Sequence, residues 1–342
     1  MRPDVVIAGA GLIGMACALE FRRRGLRVAL VERGQAGQEA SSAAAGMLAS
    51  HDPANPVALR ALSELSLALY PDFLQQLGEL GGIAVPLETA WTLEAHDGTH
   101  AEVVPQGLPR DGFAQLQESS LDPRKLVAAA VQTIRSTDVG LHEGTSVQSY
   151  RAGGDGVEVV TSGETLQCGH LLDCTGAWSG MHVRPAKGQM LRLHAPGALA
   201  AGALGNVVVR TPEIYLVPRL DGSVVIGATI EDAGFDKTLR EADALTLRQR
   251  AEGLLPSLQP APLLEHWAGL RPGTADGLPL LGSAADDGSS RVFVAAGHFR
   301  NGVLLAPATA RVMAQVMLGE QPSVNLSAFS PTRQELARAA EV

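Results

Sequence analysis

Cysteine is scarce in this chain, with only Cys17, Cys168 and Cys174 among 342 residues. An odd count without metal-like spacing excludes a disulfide framework and fits a reducing, cytoplasmic compartment. Basic charge is also in deficit. Lys and Arg total 27 against 36 Asp and Glu, a net charge of −9, with no block of like charge. That balance argues against nucleic acid or an anionic membrane surface as a partner. No uninterrupted apolar run approaches the roughly 18 residues of a spanning helix. The early apolar stretch from Val5 is broken by glycines and lacks a basic lead and a cleavage site, so it does not read as a signal peptide. Aromatics are few, and only Tyr70, Tyr150 and Tyr215 offer a phenol. What abounds is apolar residue, 46%, and glycine, 38 residues. The composition is core-forming, and at roughly 150 residues per domain the length suggests about two domains.

The N-terminus reads as a complete βαβ unit. Asp4–Ala8 is a buried strand, followed by Gly9-Ala10-Gly11-Leu12-Ile13-Gly14 and a helix from Met15 to Arg24, capped by Gly25. A second strand, Arg27–Val31, ends at Glu32, 21 positions after Gly11. Gly9 permits the tight turn, Gly11 admits a pyrophosphate to the backbone, and Gly14 lets helix and strand pack closely. The helix N-terminus presents N–H groups to phosphate, and Glu32 suits a ribose while opposing a 2′-phosphate. The fingerprint alone leaves FAD and NAD both open. Ala40–Leu48 (ASSAAAGML) has side chains small enough for a flat ring to lie against backbone, with Ser41 and Ser42 as donors. It reads equally as a serine-capped helix start.

Further along, Pro56–Leu80 has helical spacing and predicts one or two helices broken near Pro71. Ile83–Glu94 reads as strands. Asp122 and Pro123 start a helix to about Arg135. Gly140–Tyr150, Gly156–Leu166 and His170–Thr175 read as strands, the last ending at Gly176, where a ligand can meet backbone. Val207–Val209, Ile214–Pro218 and Ser223–Ile230 suggest an antiparallel sheet turning at Asp221-Gly222, and Asp243–Leu255 a helix. Arg271, in an apolar and glycine-rich stretch, needs an anionic partner. That partner is either a ligand carboxylate or an acidic residue of the protein. Arg291–Ala296 is a buried strand leading through Gly297-His298-Phe299-Arg300-Asn301-Gly302 into a helix from Val303. His298 is either a base or, more in keeping with a strand end, a structural hydrogen-bonder.

Together these segments resemble the D-amino acid oxidase superfamily of FAD-dependent amine oxidoreductases, and within it the glycine oxidases of thiamine biosynthesis. The resemblance rests on GAGLIG with Glu32, Ser41–Leu48, Cys174–Gly180, Ala186–Met190 (AKGQM), Glu213–Arg219, Val225–Thr229, Trp267–Pro279 and Ala295–Thr309, in one order along nearly the whole chain. It implies α/β plus α+β architecture, with a discontinuous Rossmann-like FAD-binding domain (1–80, 120–182 and 268–342) and an inserted antiparallel-sheet substrate domain (81–119 and 183–267). It implies non-covalent FAD lined by Leu12, Ile13, Glu32, Arg33, Ser41, Ser42, Ala45, Gly46 and Met47, with Val147 at the adenine and Gly176 at the diphosphate. His298, Phe299, Arg300, Asn301, Gly302, Val303 and Leu304 would wrap the ring. Arg271 and Tyr215 would hold a substrate carboxylate, Arg300 would line the pocket and Met47 would sit near the reacting face.

The implied reaction is oxidative deamination of glycine, sarcosine or a D-amino acid. A hydride would pass from Cα to flavin N5 without a protein base, giving a 2-oxo acid, ammonia and, with oxygen as acceptor, H2O2. A homo-oligomer is implied as well. The departure is Glu213, where a glycine oxidase has a pocket histidine; this bears on substrate preference. Three alternatives stand beside this reading: a flavin dehydrogenase with a non-oxygen acceptor, a non-catalytic flavin-binding subunit, and an NAD dehydrogenase. The last leaves the C-terminal signature unexplained.

Overall fold

A computed structural model of the chain describes residues 2–285 and 291–333. Its first layer is a six-stranded sheet in the order Leu280–Ser283, Val292–Ala296, His170–Asp173, Val5–Ala8, Val28–Val31, Gly140–His142. All neighbours run parallel except the first pair. Val5–Ala8 is buried along its whole length, which explains its unbroken apolar sequence. Helix Gly302–Met317 packs on both Leu12–Arg23 and Arg60–Gly81, and Pro123–Arg135 packs on the same two. Asp122 caps the Pro123–Arg135 helix, its carboxylate accepting the Arg124 N–H at 2.8 Å, with Pro123 in the first turn.

The second large sheet has seven strands in the order Leu263–Gly273, Arg184–His194, Ser223–Gly227, Tyr215–Pro218, Val207–Arg210, Trp91–His100, Asp111–Leu116. A separate hydrophobic core including Leu93, Leu191, Val209, Leu216, Ile226 and Leu247 lies against one face of it. The chain is thus a mixed α/β fold joining a mainly parallel sheet to a mainly antiparallel one. No helix among the described residues is long and apolar enough to cross a membrane.

Several expectations need correction. Pro71 does not break its helix, which runs unbroken over Arg60–Gly81. Burial of Leu62, Ser66, Tyr70, Phe73 and Leu77 along one face outweighs the hydrogen bond that proline removes. Gly140–Tyr150 is two strands. Gly140–His142 completes the parallel sheet, and Val147–Gly153 belongs to a three-stranded sheet with Gly156–Thr161 and Thr165–Cys168. Those last two divide the expected strand Gly156–Leu166 at a turn where the Thr161 hydroxyl accepts the Gly163 and Glu164 N–H groups. The strand from Ser223 stops at Gly227 rather than Ile230. The second sheet is not wholly antiparallel, because Val207–Arg210 runs parallel to Trp91–His100.

Candidate active site

Val5–Ala8 is flanked by Val28–Val31 on one side and His170–Asp173 on the other, so the strand order reverses at its carboxyl end. That crevice is where an open α/β sheet receives its ligand. Gly9 adopts φ +98, and a Cβ on Gly14 would overlap the Gly9 carbonyl oxygen, so turn and helix fit only without side chains. Gly11 opens helix Leu12–Arg23 without a capping side chain of its own, so the helix end faces the crevice with its positive dipole. Glu32 faces the same crevice and meanwhile accepts the Ala10 and Gly34 N–H groups, each at 2.9 Å. Ser41 acts as an acceptor here, taking the Leu12 N–H at 2.9 Å.

From this crevice a cavity of about 790 Å³ runs to the pocket face of the seven-stranded sheet. Directly paired residues share a face. One transverse row therefore reads Trp267, Met190, Gly227, Tyr215, Arg210, Glu94 across six strands. Tyr215 lies flat over Gly227, and Arg271 lies over Gly188. A Cβ on either glycine would overlap the side chain above it. This floor is how a tyrosine and an arginine from distant strands reach one point.

Arg271 donates from Nη1 to the Thr229 carbonyl at 3.1 Å. Among the described residues no carboxylate pairs with it, whereas Arg300 pairs with Asp52 at 3.5 Å. The choice left open for Arg271 therefore falls away from an internal salt bridge. Burial pushes the Tyr215 phenol up, and the neighbouring Arg271 pulls it part of the way back. It stays a neutral donor at ordinary pH.

Across the cavity, helix Gly302–Met317 also starts without a side-chain cap, with Asn301, Gly302 and Val303 on the cavity wall. Phe299 holds φ +47, its N–H bound to the Pro272 carbonyl at 2.8 Å, which ties this turn to the strand of Arg271. His298 is buried with Nε2 3.0 Å from the Thr309 hydroxyl, and burial lowers its pKa to about 3. Such a nitrogen is a poor base at neutral pH.

The cavity wall gathers Gly9, Gly11, Leu12, Ile13, Glu32, Arg33, Ser41, Ala45, Gly46, Met47, Val147, Gly176, Tyr215, Arg271 and His298 to Val303. Gly14, Ser42 and Leu304 stand behind it. Gly14 is packed on Gly9, the Ser42 hydroxyl turns to the Glu39 carbonyl, and Leu304 is core, its carbonyl accepting from Ser66. Glu213 sits exposed at the rim, 3.7 Å from Arg250. Sequence reasoning missed the buried Arg210, which pairs with Glu94 and, at 3.1 Å, with Glu118. Their separation of more than 90 positions leaves no local signal. It also missed Trp178 on the cavity wall, although the segment Cys174–Gly180 contains it.

The family model of the FAD-dependent oxidoreductases, the D-amino acid oxidase type, matches residues 4–316. The chain belongs to that family. The flavoprotein is similar to glycine oxidase of Pseudomonas aeruginosa, 33% identical over 97% of this chain and 99% of the relative. It is also 33% identical to the bifunctional protein ThiO/ThiG of Trichormus variabilis over 97% of this chain, which spans 55% of that longer relative. Among solved structures, glycine oxidase from Geobacillus kaustophilus superimposes with a TM-score of 0.88, at 29% identity, covering 97% of this chain and 99% of that one. The cofactor is FAD, and the chain's own geometry fits it. The glycine-opened helix end, the Gly9–Gly14 contact that no Cβ would permit, Glu32 and a cavity of dinucleotide size form one continuous cradle.

Proposed function

We propose that this flavoprotein carries out the oxidative deamination of glycine or another small amino acid, sarcosine or a D-amino acid, within thiazole formation for thiamine. The observation that carries the reading is Arg271, a guanidinium on the cavity wall with no carboxylate partner among the described residues, set beside a neutral Tyr215 on a glycine floor. The similarity to glycine oxidases along the whole chain supports the same substrate class.

Arg271 takes the substrate carboxylate in a forked pair, with the Thr229 carbonyl fixing the guanidinium. Tyr215 donates its hydroxyl to the same carboxylate. These two contacts orient Cα, and orientation is the main contribution of the chain. FAD, when bound, supplies the two-electron acceptor for the hydride leaving Cα. Leu12, Ile13, Glu32, Arg33, Ser41, Ala45, Gly46, Met47, Val147 and Gly176 would hold it, together with the turn His298–Val303. The helix end at Gly302 favours negative charge nearby. No side chain need remove the Cα proton, in keeping with the poor basicity of His298. Water then hydrolyses the iminium product to a 2-oxo acid and ammonia (methylamine where the substrate is sarcosine), and with oxygen as acceptor H2O2 forms.

The division into a cofactor domain (1–80, 120–182, 268–342) and a substrate domain (81–119, 183–267) is part of this proposal. Its boundary at 268 falls inside the strand Leu263–Gly273, and its last range extends past the described residues. Product analysis tests the reaction. Glyoxylate and ammonia in equal amounts from glycine, with oxygen consumed, are expected. Turnover only with an artificial dye would move the assignment to a dehydrogenase, and no product from any small amino acid would overturn it.

A further inference from the structure

Between strand Ser223–Gly227 and helix Glu241–Leu254 the chain crosses the molecule without forming a helix or a ladder strand. Both ends of this segment are held by one strand, Arg184–His194. Lys187 is wholly buried, and its Nζ donates to the Thr238 carbonyl at 2.6 Å and pairs with Glu231 at 3.0 Å. Lys187 and Glu231 also exchange backbone hydrogen bonds. Gln189 donates its N–H to the Thr229 hydroxyl at 2.8 Å, donates Nε2 to Glu231 at 2.8 Å, and accepts the Arg240 N–H at 3.0 Å. A buried ammonium is costly unless paired, so this clamp explains why lysine stands there. It also gives the motif AKGQM a purpose that cofactor and substrate contacts do not.

The middle of the segment reaches over to the cofactor side. Phe235 stacks on Trp178 with ring centroids 5.3 Å apart and planes 25° apart. The Arg33 guanidinium lies 3.6 Å from the centre of the same indole. Lys237 donates to Glu39 at 3.0 Å, and Glu39 also accepts from Arg33 at 3.2 Å. Arg33, Glu39, Trp178 and Ile230 all line the cavity, and Arg33, which carries Glu39 and Trp178 with it, directly follows Glu32 at the ribose end. The foot at Thr229 meanwhile holds Arg271.

We propose that residues 229–240 are a strap that retains FAD, clamped at its feet by Lys187 and Gln189 and closed at its tip by Phe235 on Trp178 and Lys237 on Glu39. Phe235 and Lys237 are positioning residues. They hold the Arg33–Trp178 wall against the adenosine end of the cavity and do not touch the substrate. The proposal rests on the FAD assignment and not on which amino acid is oxidised.

The test is FAD release from the holoenzyme, followed by the fluorescence of free FAD after dilution, together with calorimetric titration of the apoprotein with FAD. Phe235 is 53% exposed, so its variants should fold. Phe235→Ala is expected to speed release about tenfold, the loss of one aromatic stack and its hold on a cation–π pair. Phe235→Tyr keeps the stack and should release FAD as the native protein does. Lys237→Ala should speed release about two- to threefold, as befits an exposed ion pair. The melting temperature of the apoprotein should stay put while the gain on adding FAD shrinks, which a merely structural role would not produce. Release from Phe235→Ala within about twofold of native overturns the strap, as does a raised KM with unchanged release. A native protein that binds no FAD overturns the cofactor assignment and the strap with it.

Discussion

Arg271→Ala isolates the carboxylate contact from everything else in the cavity. In the structure the guanidinium donates to the Thr229 carbonyl, adjoins the Tyr215 hydroxyl and rests on Gly188. Removing it leaves no buried carboxylate behind, so the fold should lose little. Its contribution to substrate is different. A forked, charge-assisted pair in a partly dry cavity amounts to about 2–5 kcal/mol when one partner is deleted. At 1.36 kcal/mol per decade, kcat/KM for glycine should fall by roughly 30- to 5,000-fold. Arg271→Lys should lie between, since an ammonium keeps the charge but not the fork. FAD occupancy should be unchanged, because the proposed cofactor contacts are Gly9, Gly11, Leu12, Ile13, Glu32, Ser41 and Ala45–Met47, away from Arg271 in sequence. The assay is the rate of flavin bleaching against glycine concentration in a stopped-flow instrument without oxygen, which avoids any assumption about the acceptor. Arg271→Ala with kcat/KM within about threefold of native would refute the assignment of the carboxylate anchor.

Three further outcomes follow from the same geometry. Tyr215→Phe removes one neutral donor and should lower kcat/KM for glycine by about two- to tenfold, measured in the same bleaching experiment; an unchanged value removes Tyr215 from the site. Gly227→Ala places a methyl where the Tyr215 hydroxyl lies, so it should cost at least as much as Tyr215→Phe while FAD absorbance persists. For His298, the folded pKa of about 3 lies below the usual value near 6.5. The unfolded chain then binds the extra proton, so this contribution is intact above pH 6.5 and is lost as pH falls toward 3, by up to about 1.4 kcal/mol per unit. Urea unfolding of His298→Gln against native protein over that range should show a shallower acid decline, and parallel declines would contradict it.

Much of the fold was legible because local chemistry set it. The Gly9–Gly14 turn, the Asp122-Pro123 helix start and the buried run Val292–Ala296 each carry their reason within a few residues. The strands Arg184–His194 and Leu263–Gly273 were not legible. Lys187, Gln189 and Arg271 interrupt their apolar pattern, and these residues are tolerated only because partners far along the chain receive them. Pro71 misled for a related reason: a tertiary face overrode a local breaker. In the site, Arg271 was visible as a cation in need of an anionic partner and Tyr215 only through the family resemblance, and the structure brings them together over Gly188 and Gly227. The Arg210–Glu94–Glu118 cluster and the Arg33–Trp178–Phe235 stack had no such signal, because each is assembled from segments distant in sequence.

The central claim is that FAD and a small amino acid meet in the cavity between Gly9–Glu32 and Arg271. The visible spectrum of the purified protein without oxygen, before and after adding glycine, tests it most directly. A flavin band that bleaches with glycine is expected, or with sarcosine or a D-amino acid if the pocket prefers a larger substituent. A flavin band that persists with all of them would contradict it.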